Sequence, residues 1–497
     1  MDKQFDVVIV GAGISGLLTA YKIKSEIKEG ERDISIAILE KGHSLEKRVC
    51  PASSGKPCAN CKVCSITSGL AGAGAFSDGK FNLGTSYGGN LGSILGEDIA
   101  MKYINETYDI LSQFITKEMN IKIYENDSEL TKKCLQNNLQ LLDMKVAHLG
   151  TDNNYKIMEG LIKWLKKHNV KIFEDTEVID VKKSERSNKL NKFAKYCIYT
   201  GKNKYYTDLL VLATGRSGAK FIEKIVKDFS IKYTTNKIDI GVRVEMDDKI
   251  WEEFSNKIYE PKIIYKTKTF EDTTRMFCFN KGGIITTEKN DDIITVNGHS
   301  FADPEKKTKN CNFAILSSIE FTEPFNKPTE YAQSYAKIAN MIGEKNILVQ
   351  RFGDLKHGRR TTTTRLEKNS VKPTAKATPG DLSLVLPHRI LTNIIETIEA
   401  LDKVAPGTAN PDTLIYGIEA KYYSMKPYSS VSKSPMDLSE LNENNKFMID
   451  DGLYLIGDGS GKTRGLSQAG ASGLIVGKLI LDQRTFDDIS PIRNFLQ

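Results

Sequence analysis

Apolar and polar positions alternate in blocks that differ between the two ends of the chain and its middle. Residues 5–10 form a short run rich in Val and Ile, which reads as a buried strand. A glycine-rich turn follows, then a helix over residues 17–27 and a second apolar strand over residues 34–39. Residues 97–119 carry Ile99, Tyr103, Ile104, Tyr108, Ile110 and Leu111 at helical spacing. Thr151 or Asp152 is placed to cap a helix over residues 155–167, and strands are expected at 171–173 and 177–181. The polar run 182–195 predicts an exposed hairpin tip. Residues 209–212, Leu-Leu-Val-Leu, predict another buried strand. A new strand set begins at 235–247. Near the end, residues 453–458 read as a strand entering a glycine-rich turn, a helix follows over 467–481, and 432–446 reads as a surface loop. No internal repeat is visible.

The turn after the first strand is Gly11-Ala12-Gly13-Ile14-Ser15-Gly16, the dinucleotide fingerprint G-x-G-x-x-G. In that pattern Gly11 permits the tight turn, Gly13 lets backbone approach a pyrophosphate, and Gly16 lets helix and strand pack closely. The helix start, with Ser15 in its first turn, offers N–H groups to the phosphates. Glu40, at the end of the second strand, is placed to accept from a ribose diol. The far end of the chain favours FAD over NAD. Gly457 and Asp458 end a strand there, and a helix N-terminus near Gly465 and Leu466 is suited to a flavin pyrimidine edge. The strand ending in Ala213-Thr214-Gly215 supplies a middle signature typical of two-dinucleotide-fold flavoproteins. Gly459-Ser460-Gly461-Lys462-Thr463 imitates a triphosphate loop, but Ile456 stands where that pattern needs glycine.

These signals predict an α/β architecture: a Rossmann-like, two-dinucleotide-fold (glutathione-reductase-type) FAD domain with an inserted mixed α+β substrate domain. Mononucleotide-fold signals are missing from about residue 230 to 375. The expected divisions are 1–229 for the first part of the FAD domain, 230–378 for the substrate domain and 379–497 for the return. With 497 residues the chain is long enough for two lobes. The net charge of +7 is spread along the chain without a single-sign stripe, so nucleic acid is not the expected partner. No apolar run reaches membrane-spanning length. The chain enters a core strand at once, so no signal peptide is expected, and a cytoplasmic protein with reduced thiols follows.

Four of the eight cysteines fall together in the loop 48–66: Cys50, Cys58, Cys61 and Cys64. In a reducing compartment the spacing C-x7-C-x2-C-x2-C reads as metal before disulfide. The overlapping C-x-x-C steps favour [4Fe–4S], with a four-thiolate zinc site and unligated redox-active thiols as alternatives. A second small-residue run, 68–80, follows and lets backbone lie against a flat ligand. In the middle lobe, residues 350–365 concentrate Arg351, His357, Arg359, Arg360 and Arg365. Forked arginines suit a carboxylate or phosphate, against the alternative of a solvated basic loop, and His357 is the candidate proton donor. His148 and His299 are weaker candidates.

Several stretches together resemble a prokaryotic family of FAD-dependent dehydrogenases, or NAD(P)/FAD-dependent oxidoreductases, with an N-terminal cysteine cluster. They are Arg48-Val49-Cys50-Pro51 with the later cysteines, and Gly72-Ala73-Gly74-Ala75-Phe76-Ser77-Asp78-Gly79-Lys80. Residues 240–245, Gly358-Arg359-Arg360-Thr361-Thr362, Tyr416-Gly417-Ile418-Glu419 and Tyr422-Tyr423-Ser424 also match. So do Gly457-Asp458-Gly459-Ser460-Gly461, Thr463-Arg464-Gly465 and Gln468-Ala469. The resemblance implies cofactor contacts at Arg48, Gly72, Gly74, Ser77, Asp78, Gly79, Gln468 and Ala469. In proteins of similar fold, the residue matching Val178 touches the adenine through its backbone. The expected activity is transfer of hydride or electrons between FAD and a small, anionic or unsaturated metabolite. NAD(P)H or a ferredoxin-like protein would supply electrons, in the second case through the cysteine cluster. The alternative is an electron-transfer or redox-sensing flavoprotein acting on a protein partner. A third reading, an RNA-modifying flavoprotein, has only the basic balance behind it.

Overall fold

Short runs of branched apolar residues, buried on both faces, make the first sheet. In the computed structural model the described residues are 2–50, 61–77, 79–119, 121–184, 194–234, 237–290, 293–300, 304–322, 324–325, 327–421, 425–428 and 446–489. They form two units, one of Met1–Ile123, Lys145–Thr234 and Ser424–Gln497, the other of Tyr124–Met144 and Thr235–Tyr423.

The first unit is built on a six-stranded sheet. Its order is Met448–Asp450, Leu453–Leu455, Leu209–Leu212, Val7–Val10, Ile36–Leu39 and Lys171–Phe173. The last five run parallel, and Met448–Asp450 pairs antiparallel at the edge. Period-2 alternation explains the double burial. Val7, Ile9, Ile36, Ile38 and Val211 face a core shared with the helices Ile14–Glu26, Thr151–Lys167 and Gly465–Ile489. Val8, Val10, Ala37, Leu39, Leu210 and Leu212 face the other way, toward Ile222, Ile225, Tyr196 and Ile198. A four-stranded sheet, ordered Asp2–Gln4, Lys204–Thr207, Tyr196–Thr200 and Val178–Lys183, supplies part of that second layer. The antiparallel pairing of Val178–Lys183 with Tyr196–Thr200 makes the expected hairpin, whose tip at 185–193 lies outside the described residues.

Several helices start earlier than the apolar pattern suggests. Thr151 is already helical and Gly150 is the N-cap, so neither Thr151 nor Asp152 caps. The helix at Glu97 ends at Ser112, short of 119.

The second unit centres on Ile238–Asp247. Its eight-stranded sheet is ordered Thr378–Pro379, Leu348–Arg351, Leu414–Lys421, Ile238–Asp247, Asn310–Ile319, Thr273–Asn280, Ile263–Lys266 and Leu139–Leu141. Ile238, Ile240, Val242, Val244 and Met246 point into one apolar core with Trp251, Phe313 and helix residues Ile390, Ile394 and Ile398. The alternate residues Arg243 and Glu245 are buried on the opposite face.

Two boundaries differ from the sequence-based division. Residues 379–421 belong to the second unit, because Leu414–Lys421 is hydrogen-bonded between Ile238–Asp247 and Leu348–Arg351. Residues 124–144 also belong there, because Leu139–Leu141 pairs with Ile263–Lys266 as the edge strand. Strand pairing across more than a hundred residues leaves no local trace in sequence.

Candidate functional site

The parallel strands of the first unit end side by side, and each end is tied to its neighbour. Gly11 donates its N–H to Leu39 O at 2.8 Å, Ala213 to Val10 O at 2.8 Å, and Ile456 to Leu212 O at 3.0 Å. The fingerprint, the Ala-Thr-Gly turn and the C-terminal turn are thereby brought together at the carboxyl edge, where open α/β sheets bind ligands. Gly11 has φ +104°, and a Cβ there would sit 2.4 Å from Ala213 O. Gly16 packs its Cα against the turn, with Gly11 O 2.2 Å from where a Cβ would be. A Cβ on Gly457 would lie 2.5 Å from Ser15 Oγ, and one on Gly459 would lie 3.0 Å from Gly215 O.

Gly13 differs from these. Beyond its chain neighbours, a Cβ on Gly13 would meet no atom of the described residues within 4 Å, and the same holds for Gly215 and Gly465. The run after the cysteines crosses this opening: a Cβ on Gly72 would lie 3.0 Å from Gly13 Cα, and one on Gly74 would lie 2.5 Å from Leu466 Cδ2. The helix Ile14–Glu26 starts at Gly13 without a side-chain cap and without an acid in its first turn. Its first N–H groups therefore face the open space with a positive dipole end. The helix starting at Gly465 also has no acid in its first turn. Among the described residues, the buried side-chain oxygens Thr214 Oγ1, Ser467 Oγ and Asn154 Oδ1 of this unit find no hydrogen-bond partner. Asn154 Nδ2 donates to Gly74 O at 2.5 Å, which fixes its amide beside the glycine run. Burial raises the Asp458 carboxyl above its ordinary value, opposed by Arg216 and Arg464.

Several expected contacts are committed within the protein. The Glu40 carboxylate accepts from the N–H groups of Ala12, Gly42 and Gly69, each at 2.9 Å. A carboxylate with roughly four lone-pair directions has one left for a ribose, so Glu40 mainly ties fingerprint to glycine run. Arg48 is buried and donates to the carbonyls of Ser65, Leu70 and Ile66. Burial lowers its pKa, with Glu40 and Cys64 opposing. It stacks over Phe76 at 4.7 Å and shapes the loop. The Gln468 amide donates to Tyr87 O and accepts from Leu91 N–H, fastening the loop 87–91 to the last helix. Ser77 Oγ donates to Gly74 O, Gly79 takes φ +64°, and Ala469 is buried. Val178 lies on an edge strand at a register shift opposite Thr200. Asp78 lies outside the described residues. Sequence reasoning missed Asn154, Arg216 and Ser467, which no motif marks.

Of the four clustered cysteines, Cys58 lies outside the described residues, and Cys50, Cys61 and Cys64 are unpaired. Among the described residues no group of three or more His, Cys, Asp or Glu side chains could hold a metal ion. The three described members of the expected four-thiolate set form no such group. Burial disfavours the Cys64 thiolate, but the N–H and hydroxyl of Thr67, the Ile66 N–H and Arg48 outweigh it and lower the thiol's pKa.

In the second unit the polar face of Ile238–Asp247 carries a closed network. Arg243 and Glu419, both fully buried, pair at 3.0 Å. Arg243 also donates to Asn312 Oδ1 and Cys278 O. Glu245 accepts from Tyr416 OH at 2.6 Å and from Asn310 Nδ2. Two of the resembling stretches thus meet as adjacent strands, Val242 opposite Gly417 and Arg243 opposite Tyr416. The arginine-rich stretch surrounds Asp354, whose carboxylate accepts from Arg359 Nε, Arg365 Nη1 and Thr361 Oγ1, each at 2.8 Å. His357 is exposed, with Nδ1 2.6 Å from Gly353 O, and Arg360 is exposed.

Residues 237–422 match the family described as FAD-dependent protein, C-terminal domain-like. No curated protein matches the chain. Among solved structures, glycine oxidase from Geobacillus kaustophilus is similar at 10% identity and TM-score 0.37, covering 97% of this chain and 95% of that one. L-Proline dehydrogenase from P. horikoshii is similar at 12% identity and TM-score 0.37, with the same coverage. L-α-Glycerophosphate oxidase from Mycoplasma pneumoniae is similar at 11% identity and TM-score 0.36, covering 96% and 95%. Scores at this level decide neither fold nor activity. No helix among the described residues is long and apolar enough to cross a membrane.

Proposed function

We propose that the first unit binds FAD across the carboxyl ends of its parallel strands, in a glutathione-reductase-type arrangement, and that the protein is an FAD-dependent oxidoreductase acting on a small metabolite. The observation that carries this is Gly13: it begins an uncapped helix and faces open space, while Gly11 and Gly16 of the same fingerprint are wedged against backbone. That combination suits a pyrophosphate approaching N–H groups. The match of residues 237–422 to a family described as FAD-dependent supports the same cofactor.

The residues present fit the group. The N–H groups at Gly13 to Gly16 would hold the pyrophosphate, and Asp458 and Thr214 Oγ1 would meet the ribityl side. The segment 72–77 and the helix start at Gly465 would flank the ring. Bound flavin supplies hydride or electron transfer; the protein supplies position and electrostatics. The helix start at Gly465, with no acid in its first turn, favours negative charge on the pyrimidine edge. Arg216 and Arg464 counter the buried Asp458 carboxylate, so the site does not repel an anionic cofactor.

NAD(P)H and a ferredoxin-like protein remain the two electron donors to compare, by mixing each with the oxidised flavoprotein. The described thiols lend an iron–sulfur or zinc site no support. A cytoplasmic setting goes with this reading. Among the described residues of their own unit His357 and Arg360 meet no reacting partner, so this reading gives them no catalytic role. The testing experiment is flavin content after reconstitution, for the parent protein and for Gly13→Ala. The parent should hold FAD and the variant should fold but hold it weakly; equal retention by both would reject the site.

A further inference from the structure

We propose that Arg359 and Arg365 form a binding site for a doubly charged oxyanion, a phosphate group or a dicarboxylate, held in position by the buried Asp354. The site stands apart from the flavin reading and does not need it.

Asp354 is fully buried and both arginines are roughly half exposed, Arg359 at 48% and Arg365 at 40%. Both donate to the same oxygen, Asp354 Oδ1, at 2.8 Å. The two donor nitrogens therefore lie within twice that distance of each other, and two guanidinium charges share one carboxylate charge. The third cation nearby, Arg351, lies 3.6 Å from Asp354 Oδ2 and is held more closely by Asp412 and Asn369. Arg359 spends only Nε on Asp354 and Arg365 only Nη1. The remaining guanidinium nitrogens of both have no partner among the described residues, and both side chains stay about half exposed. A guanidinium fork fixed on one edge offers its other edge for bidentate recognition of an oxyanion.

The backbone holds this arrangement in register. Arg359 N–H donates to Asp354 O, and Gln350 Nε2 donates to Arg359 O at 2.9 Å. Thr361 is anchored twice, its hydroxyl donating to Asp354 and accepting from Arg351 N–H. Burial raises the cost of charge on Asp354, yet Arg359, Thr361, Arg351 and Arg365 keep its carboxyl below the usual range. The carboxylate therefore stays ionised and leaves net positive charge at the surface. A solvated basic loop would need neither a buried carboxylate nor this ordering.

The test is titration calorimetry of the full chain with inorganic phosphate and, separately, succinate, each at matched ionic strength set with chloride. Saturable binding of at least one is expected, and the one that binds identifies the anion class. Arg359→Gln and Arg365→Gln should each weaken it by about tenfold or more. Removing a cation from a buried carboxylate can cost the fold, so Arg359→Lys and Arg365→Lys form the second pair. They keep charge and one donor but lose the fork, and should weaken binding with the melting temperature preserved. No binding of either anion in the parent, or undiminished binding in folded Lys variants, would overturn the proposal.

Discussion

At the residue scale, neighbouring glycines of one fingerprint have opposite consequences. Gly11 occupies a left-handed φ with Ala213 O where its Cβ would be; Gly13 has an ordinary φ and open space. Gly11→Ala should therefore lower stability, by about 1–3 kcal/mol, measurable by urea denaturation. Gly13→Ala should leave stability near the parent value while weakening flavin retention. The buried pair Arg243–Glu419 gives a second prediction. Glu419→Gln leaves a buried guanidinium without its carboxylate and should cost about 3–5 kcal/mol, whereas a loss under 1 kcal/mol would place the pair in a more solvated setting. Lys462 gives a third. Burial lowers its ammonium from the ordinary 10.5 to about 8. The folded state then binds fewer protons than the unfolded chain between those values, so this group makes stability rise with pH across that window. Lys462→Met removes the contribution. Its stability relative to the parent should be most favourable below pH 8 and decline toward pH 10.5, and a flat difference would contradict the burial argument.

At the element scale, the last helix is fitted to the first by small residues. A Cβ on Gly473 would lie 2.2 Å from Ser15 O, and one on Gly477 would lie 3.0 Å from Thr19 O. The Thr19 hydroxyl donates to Gly473 O at 3.1 Å. Gly473→Val should push the helices apart, lower stability by about 1–3 kcal/mol, and loosen flavin binding because Gly457 rests on Ser15. Thermal denaturation and flavin release report the two effects. The strand, turn and helix at each end of the chain were legible because buried parallel strands read as continuous Val, Ile and Leu. The commitment of Glu40 to Ala12, Gly42 and Gly69 was not legible. Nothing local to Glu40 indicates that Gly69, across the cysteine loop, would return to it.

At the scale of the whole molecule, sequence showed that the middle of the chain leaves the dinucleotide pattern, but not where the units divide. The helix Ser128–Gln136 and strand Leu139–Leu141 lie amid first-unit sequence and complete the second unit. Leu130, fully buried in the second unit's core, offers a direct check. Leu130→Ala should destabilise that unit by about 2–5 kcal/mol, seen as earlier hydrogen exchange in Ile263–Lys266 and its neighbours; protection lost only in the first unit would contradict the division. The candidate site was legible to the extent that fingerprint, Ala-Thr-Gly and Gly-Asp turns mark strand ends. The arginine stretch was visible as charge, but its ordering by Asp354 depends on a fold no motif encodes.

FAD binding by the first unit is decided by reconstituting the purified chain with excess FAD, removing free flavin, and measuring flavin per chain and the visible spectrum for parent and Gly13→Ala. One FAD per parent chain, released by denaturation, is expected, and markedly less in a folded variant. A parent that retains no flavin, or a variant that retains it fully, would contradict it.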